Sequence, residues 1–131
     1  MSRVIDQRFL QDPFAAPPKF PPATATQTWL RVSGRLPDDA AVHSAALTFV
    51  SDLTLLGAGL VRVGGWGSGA VGASLDHAVW FHAPVRADEW FLYETDSPAA
   101  SSGRALCFGQ IWAADGTHVA TVAQQGLLRS L

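Results

Sequence analysis

The sequence predicts an α+β domain in which one antiparallel sheet wraps around one long central helix. Three features carry this prediction: an alternating strand pattern near residue 30, a long helical pattern with almost no charge over residues 39 to 58, and several strand patterns in the C-terminal half. At 131 residues the chain has the usual size of one domain, and such a domain buries roughly two-thirds of its unfolded surface. We therefore expect one hydrophobic core.

The N-terminal segment predicts an edge strand followed by a connector. Residues 3 to 10 have the pattern of a short strand. The next stretch is rich in proline, which lacks a backbone donor and is incompatible with helices and central strands; its prolines are Pro13, Pro17, Pro18, Pro21 and Pro22. Residues 1–26 are therefore interpreted as an edge strand and an extended connector within a single domain of residues 1–131.

A half-buried strand and then the central helix are expected next. Apolar and polar residues alternate from Thr28 to Leu36, and Pro37 ends this strand. Asp38 is the expected N-cap of a helix over residues 39 to 58. Because this helix carries few charges on any side, we expect protein to surround most of it. Its main apolar face comprises Val42, Ala46, Phe49, Val50, Leu53 and Leu56.

Four strand patterns follow a glycine-rich connection, and they are SLDHAVWFH, WFLYET, GRALCFGQIWA and HVATVAQQGLLR. Asp115-Gly116 lies between the last two and predicts a two-residue hairpin turn. The glycine pattern GSGAVG at residues 67 to 72 resembles a dinucleotide-binding loop. That motif requires a strand before it and a helix after it, whereas here the order is reversed, so we interpret it as a flexible loop.

The histidines do not form a metal-binding pattern. Among His43, His77, His82 and His118, only His77 and His82 are close in sequence, and residues five apart on a strand face opposite sides. We expect His77 to be a core or interface histidine with both nitrogens hydrogen-bonded. His43 either lies near a ligand or occupies a solvated helix end.

Composition and charge exclude several classes of function. The net charge of −2 offers no basic surface for nucleic acid. No stretch reaches the approximately 18 uncharged apolar residues of a membrane span, and MSRVIDQRFL lacks the apolar core of a signal peptide. A single cysteine, Cys107, cannot form an internal disulfide and is expected to be a buried structural thiol in a cytoplasmic protein. The hydrophobic fraction of 48% indicates either a subunit interface or a soluble chain rich in Ala and Val.

Asp52 is the most informative polar residue, because it is the only Asp, Glu, Lys or Arg between Asp39 and Arg62. A lone carboxylate in an apolar helix is costly to bury unless it is hydrogen-bonded or functional. Two interpretations remain open at this point: a site residue, or a carboxylate that caps a neighbouring loop.

Several motifs in one order resemble a known family, and they are VSGRLPDD, FVSDLTLL, SLDHAVWFHAP, EWFLYETDSPAASSGRAL and DGTHVATVAQQGLLR. From Trp29 to Arg129 the chain is similar to the C-terminal half of the acyl-CoA thioesterase II family. The resemblance implies a single hot-dog fold. It also implies hydrolysis of acyl-CoA to a free fatty acid and CoA.

The same resemblance implies a catalytic set of Asp52, Ser74 and Gln124. In such a mechanism Asp52 accepts a proton from a water that Ser74 and Gln124 hold, and no metal or organic cofactor is required. Gln125 lies on the opposite strand face, so a shift of one residue in register would exchange the two glutamines.

Members of that family usually carry two hot-dog domains, whereas this chain has the length of one. We therefore expect acyl-CoA as the substrate partner and a homodimer or a higher homo-oligomer, without nucleic acid or membrane. The alternatives are a fragment, or a subunit that pairs with a separate domain. Two other functions stay open: a non-catalytic acyl-CoA-binding subunit, and an enoyl-CoA hydratase that would use an Asp–His pair such as Asp76-His77.

Overall fold

The computed structural model describes residues 4–10, 25–61 and 70–130, in which one helix lies against one curled antiparallel sheet. This arrangement confirms the expected α+β class. The proline-rich connector and most of the glycine-rich connection lie outside the described residues. The elements are β1 Ile5–Phe9, β2 Thr26–Val32, α1 Ala40–Val61, β3 Ala70–Ser74, β4 Ala78–Phe81, β5 Phe91–Ser101, β6 Arg104–Ala113 and β7 His118–Ser130.

The sheet has the strand order β1-β2-β5-β6-β7-β3, and β4 also pairs with β7. Strands β3 and β4 therefore lie end to end along one edge of β7. Strand β1 forms the opposite edge by pairing with β2, as expected for an edge strand. Strand β2 ends at Val32, four residues before the predicted end at Leu36, because Gly34 turns the chain with a φ of +83°.

The face of α1 that packs on the sheet differs from the predicted face. Its buried positions repeat every three or four residues, as one side of a helix does. Phe49 and Leu53, which we expected in the core, are 61% and 40% exposed. The expectation that protein surrounds most of the helix is therefore wrong for this chain by itself. The buried set comprises His43, Leu47, Val50, Ser51 and Leu55, and every residue from Gly57 to Leu60 is also buried.

The N-terminus of α1 is capped by Asp39, whose Oδ1 accepts a hydrogen bond from the Ala41 N–H at 2.9 Å. The predicted cap, Asp38, instead contacts Arg86 at 2.6 Å through its Oδ1. The predicted cap and the observed cap are adjacent aspartates, and both follow Pro37. Two adjacent candidates cannot be distinguished by residue type alone.

His43 is buried and structural. It is 3% exposed, which rules out the expected alternative of a solvated helix end. Its Nε2 lies 2.9 Å from the Pro37 carbonyl oxygen, and its Nδ1 accepts a hydrogen bond from the Ala87 N–H at 3.0 Å. The ring therefore joins the start of α1 to the loop before β5.

Helix α1 is also apolar enough, over Ala40–Leu60, to satisfy the length and composition criteria for a membrane span, with a mean hydropathy of 1.3. The core helix of a folded domain satisfies the same criteria. The sequence predicted that no uncharged apolar stretch is long enough to span a membrane. This helix does not contradict that prediction, because it contains the charged residue Asp52. In the structure α1 packs along β5, β6 and β7.

The turn between β6 and β7 lies where Asp115-Gly116 predicted a hairpin, but it is longer than two residues. The Ala113 N–H bonds the Thr117 carbonyl at 2.9 Å, and the Gly116 N–H bonds the Ala113 carbonyl at 2.9 Å. Gly116 has a φ of +90°. A type I turn followed by a left-handed glycine gives a three-residue hairpin loop, which also matches strand twist.

A partly buried ion pair in the loop before β5 also holds Leu36, in the loop after β2, and it predicts an acid-sensitive stability. The Asp88 side chain is 4% exposed. Its Oδ1 and Oδ2 accept hydrogen bonds from Arg86 Nε at 3.0 Å and NH2 at 2.9 Å, and Oδ2 also accepts the Leu36 N–H at 2.8 Å. The Arg86 contacts, followed by the Leu36 N–H, lower the pKa of Asp88 to about 2.

Because folding lowers this pKa from 3.8, the pair contributes stability above about pH 4 and loses it as pH falls toward 2. We expect the urea midpoint to decrease over that interval. Asp88→Asn should have a lower midpoint at pH 7 and a shallower decrease below pH 4. An Asp88→Asn curve parallel to wild type from pH 4 to pH 2 would contradict this assignment.

Candidate functional site

A β-bulge between β3 and β4 shapes the region around Ser74. Ser74 pairs with Gly126 and Ala78 pairs with Ala123, so three residues on one strand (75, 76 and 77) face two on β7 (124 and 125). The expected single strand over SLDHAVWFH is therefore two strands with one extra residue between them. Bulges of this kind redirect side chains, and they are common next to active sites.

The bulge is held by Gln125 and Asp76. The Gln125 carbonyl accepts the Leu75 N–H at 2.8 Å, and the Gln125 N–H donates to Asp76 Oδ1 at 2.7 Å. In a regular strand, residues three apart face opposite sides. The extra residue shifts the alternation of side chains by one position, so that Ser74 and His77 both face α1.

The three residues chosen from the sequence come together. Gln124 Nε2 donates to Ser74 Oγ at 2.9 Å, and Ser74 Oγ donates to Asp52 Oδ1 at 3.2 Å. They belong to three different elements, β7, β3 and α1. Their meeting therefore requires the tertiary fold, and no local motif brings them together.

The depth of the three side chains differs. Gln124 is 1% exposed, whereas the Asp52 side chain is 47% exposed and Ser74 is also exposed. Asp52 and Ser74 thus form the surface of the site, and Gln124 lies behind them. The expectation of a buried Asp52 carboxylate is wrong, because Asp52 lies on the outer side of α1 with Phe49 and Leu53.

The contacts of Asp52 favour a site residue over a loop cap. Its Oδ1 accepts from the Ser74 hydroxyl, and it lies 3.5 Å from Nδ1 of His77. Both partners are side chains, whereas a carboxylate that caps a loop accepts from backbone N–H groups. Among the described residues both contacts use Oδ1, which leaves Oδ2 able to accept from a water or a substrate.

His77 is the residue that sequence reasoning did not assign to the site. Its Nδ1 lies 2.6 Å from Gln124 Oε1, and its Nε2 lies 2.8 Å from Ser51 Oγ. The expectation that both nitrogens are hydrogen-bonded is confirmed. Its place beside Gln124 was missed because strict strand alternation from Ser74 puts residue 77 on the other face. No sequence signal marks the bulge except the adjacent polar residues Asp76 and His77 after Ser74-Leu75.

The two glutamines of β7 face opposite sides of the sheet. Gln124 pairs with Cys107 and is buried on the side of α1. Gln125 pairs with Leu106 and lies partly exposed on the outer side. Gln124 is therefore the glutamine that can act with Asp52 and Ser74.

Tyr93 supports the helix below this cluster. Its hydroxyl donates to the Ser51 carbonyl at 2.7 Å, and the residue is 1% exposed. Burial, followed by the negative charge of Asp52, raises the pKa of Tyr93 well above its usual value. Gly109 gives the ring its space, because a Cβ there would come within 2.9 Å of the tyrosine hydroxyl oxygen. The turn of α1 that carries Ser51 and Asp52 is thus attached to the sheet.

The described part of the chain offers no metal centre. No group of three or more His, Cys, Asp or Glu side chains in residues 4–10, 25–61 and 70–130 is arranged to hold a metal ion. His82 and His118 contact each other, with ring centroids 4.7 Å apart. Cys107 is buried at 0% exposure, as expected for a structural thiol.

Comparison with known proteins identifies close relatives of the whole domain. The model of the acyl-CoA thioesterase family matches residues 4–127. Acyl-coenzyme A thioesterase 8 of Mus musculus is 40% identical over 102 residues, which are 77% of this chain and 32% of that protein. Acyl-CoA thioesterase 2 of Haemophilus influenzae is 32% identical over 127 residues, which are 95% of this chain and 43% of that protein. The chain thus spans less than half the length of these relatives.

Solved structures confirm the fold. The acyl-CoA thioesterase II TesB2 from Mycobacterium marinum superimposes with a TM-score of 0.84 at 43% identity, over 98% of this chain and 50% of that one. A hypothetical thioesterase with coenzyme A from Streptococcus pneumoniae superimposes with a TM-score of 0.69 at 12% identity, over 95% of this chain and 90% of that one. The second likeness concerns the fold alone. With a family match across nearly its full length, this chain belongs to the acyl-CoA thioesterase family and has its hot-dog fold.

Proposed function

We propose that this domain hydrolyses acyl-CoA thioesters to a free fatty acid and CoA. The observation that carries the proposal is the chain of hydrogen bonds from Gln124 through Ser74 to Asp52, in a domain of the acyl-CoA thioesterase family. A half-exposed carboxylate beside a hydroxyl gives a water both a proton acceptor and a point of attachment. These are the two requirements for direct attack on a thioester.

In the proposed reaction Asp52 is the general base. Water adds to the thioester carbonyl carbon while its proton passes to Asp52, and collapse of the tetrahedral intermediate breaks the C–S bond. The CoA thiolate leaves and takes up the proton that Asp52 holds, which restores the carboxylate. A bound acyl chain would exclude bulk solvent from the half-exposed carboxylate.

Ser74 and Gln124 have positioning roles in this proposal. Ser74 Oγ accepts from Gln124 and donates to Asp52, so its remaining lone pair can accept from a water. Gln124 is nearly inaccessible, and it therefore acts mainly by holding Ser74. The route requires no metal or organic cofactor.

The experiment that tests this function is an assay of thiol release with a thiol reagent, using a panel of acyl-CoAs of different chain length and branching. Thiol release that increases with enzyme concentration supports hydrolysis. Binding without thiol release would instead support a non-catalytic acyl-CoA-binding subunit. The panel also identifies the preferred acyl chain.

One observation favours a second candidate function, enoyl-CoA hydration, which uses an Asp–His pair. The pair that the structure brings together is Asp52 and His77, with Oδ1 and Nδ1 3.5 Å apart, and not Asp76 and His77. Both nitrogens of His77 already have partners within the protein, which leaves the ring without a free site for substrate. Loss of enoyl-CoA absorbance without thiol release would identify a hydratase.

Ser74→Ala should lower kcat by about 10-fold to 100-fold, because it removes one group that orients the water while the base remains. Since Ser74 is exposed, the fold should be unaffected. Thiol-release kinetics and thermal unfolding measure the two quantities. A stable Ser74→Ala protein with the wild-type kcat would remove Ser74 from the mechanism.

We also propose that a second copy of this domain pairs with the first. The chain spans 43% of one relative and 50% of one solved neighbour, so half or more of each of those chains lies outside the region that this domain matches. Apolar side chains on α1 and along the β3–β4 edge are exposed, and a partner would cover them. They are Phe49 at 61%, Leu53 at 40%, Leu75 at 50% and Phe81 at 46%.

Sedimentation should therefore show a homodimer, or a larger homo-oligomer, at micromolar concentration. Leu53→Asp should shift the population toward monomer, since it places a charge in the apolar surface. Ala99→Asp, at an exposed site on β5, is the matched control. A wild-type monomer at that concentration would contradict the proposal.

We further propose that the reaction belongs to lipid metabolism in the cytoplasm. The support for this location is the single cysteine, which suits a reducing compartment. Imaging of the tagged protein in its own cell is the direct test.

A further inference from the structure

We propose that His77 is a positioning residue whose Nδ1–H holds the carbonyl oxygen of Gln124 and thereby directs the amide nitrogen of Gln124 toward Ser74. The observations are the 2.6 Å separation of His77 Nδ1 and Gln124 Oε1 and the 2.9 Å hydrogen bond from Gln124 Nε2 to Ser74. The effect on rate rests on the proposed thioester hydrolysis. The hydrogen-bond arrangement is independent of that function.

The charge of Asp52 determines where the histidine carries its hydrogen. Asp52 Oδ1 lies 3.5 Å from His77 Nδ1. A nitrogen lone pair at that position would face a carboxylate oxygen and be repelled, whereas an N–H there is attracted to it. Nδ1 is therefore the protonated nitrogen, and it donates to Gln124 Oε1.

A glutamine side chain can present either its oxygen or its nitrogen to a given neighbour, and the neighbour decides which. With an N–H on His77, Gln124 must present its oxygen to the ring and its NH₂ group to Ser74. The Ser74 hydroxyl hydrogen is then free to point to Asp52. Every donor in the series thus points toward the carboxylate, which favours mutual polarisation of the bonds.

The other ring nitrogen is held by the helix. Ser51 Oγ lies 2.8 Å from His77 Nε2 and 2.8 Å from the Thr48 carbonyl oxygen. Its single hydrogen can go to the ring or to the carbonyl, in which case the ring donates to Ser51. In the first arrangement a neutral ring carries its hydrogen on Nδ1; in the second, Nδ1 keeps a hydrogen only when both ring nitrogens carry one. Because Ser51 is fully buried, the ring is restrained from two sides.

The first test is the nitrogen NMR spectrum of the imidazole in the purified wild-type protein at pH 7, assigned with His77→Asn. We expect Nδ1 of His77 to carry a hydrogen. An unprotonated Nδ1 would overturn the proposal, since Gln124 would then have to present its nitrogen to the ring. This measurement needs no substrate, so it decides the arrangement even if acyl-CoA hydrolysis fails.

The second test asks whether His77 acts through Gln124. His77→Leu should lower kcat by about 10-fold to 100-fold with little change in KM. His77→Asn places an amide nitrogen near the position of Nδ1 and should recover most of that loss, which a purely structural role would not predict. His82→Leu is the matched control, because His82 contacts Thr121 on the other face of the sheet and should retain the wild-type kcat.

A double-mutant cycle completes the test. In a Gln124→Met background, which keeps side-chain length without polar atoms, His77→Leu should cause no further loss of kcat. Fully additive losses would show that His77 acts independently of Gln124 and would overturn the proposal. If His77→Leu does not fold, His77→Gln takes its place in the cycle, because its amide reaches the Nε2 position instead of Nδ1.

Discussion

Asp52→Asn is expected to lower the rate of acyl-CoA hydrolysis by about 10²-fold to 10⁴-fold, the usual contribution of a general base. The amide keeps the size of the side chain and can still accept from Ser74 through its oxygen, as Asp52 Oδ1 does at 3.2 Å. It cannot accept a proton from water. The loss should therefore appear in kcat, with KM changed little, in a thiol-release assay.

The stability of Asp52→Asn separates the two interpretations of this carboxylate. Since its side chain is 47% exposed, replacement should change the free energy of unfolding by less than about 0.5 kcal/mol. A structural cap would instead lose stability, and activity would fall only through unfolding. Asp76→Asn is the matched control, because Asp76 lies in the bulge and its amide can still accept the Gln125 N–H.

Activity of Asp76→Asn should equal that of the wild type. A folded Asp52→Asn protein that hydrolyses its best acyl-CoA at the wild-type rate would remove Asp52 from the mechanism. Loss of activity in Asp76→Asn alone would point to the bulge geometry as the limiting feature.

Gln124→Ala should lower kcat by about 10-fold to 1000-fold, because Ser74 loses the donor that orients it. It should also destabilise the protein by about 1–3 kcal/mol, since His77 keeps a buried polar nitrogen without its acceptor. Urea unfolding gives the second quantity. The kinetic measurement belongs at a temperature at which the variant is fully folded.

Gln125→Ala is the matched control for this prediction. Gln125 holds the bulge through its backbone N–H and carbonyl, and both remain in an alanine variant. We therefore expect the wild-type kcat. A lower kcat in Gln125→Ala together with the wild-type kcat in Gln124→Ala would mean that Gln125 serves the site.

The sequence by itself determined the fold class and predicted the candidate site residues. Alternation and helical spacing are local properties that survive in any context, so the helix and the β6–β7 hairpin lie close to where they were predicted, whereas β2 is shorter and SLDHAVWFH forms two strands. Asp52 was conspicuous because charge is costly in an apolar helix. Ser74 and Gln124 came from the family resemblance, and the structure places both beside Asp52.

Only the tertiary structure decided which surfaces are covered. Phe49 and Leu53 have the spacing of a core face, yet they are exposed, because the sheet approaches α1 from the side of Leu47, Val50 and Leu55. Hydrophobicity shows that a residue favours burial, but not which neighbour buries it. An apolar face intended for a second subunit has the same pattern as a core face.

The place of His77 was likewise decided by the tertiary structure. Whether residue 77 faces α1 or the outside depends on one extra residue in the pairing of β3 and β4 with β7. A shift of one residue reverses the face of every later side chain in a strand. Pairing between strands some 50 residues apart determines that shift, and local sequence has no period that records it.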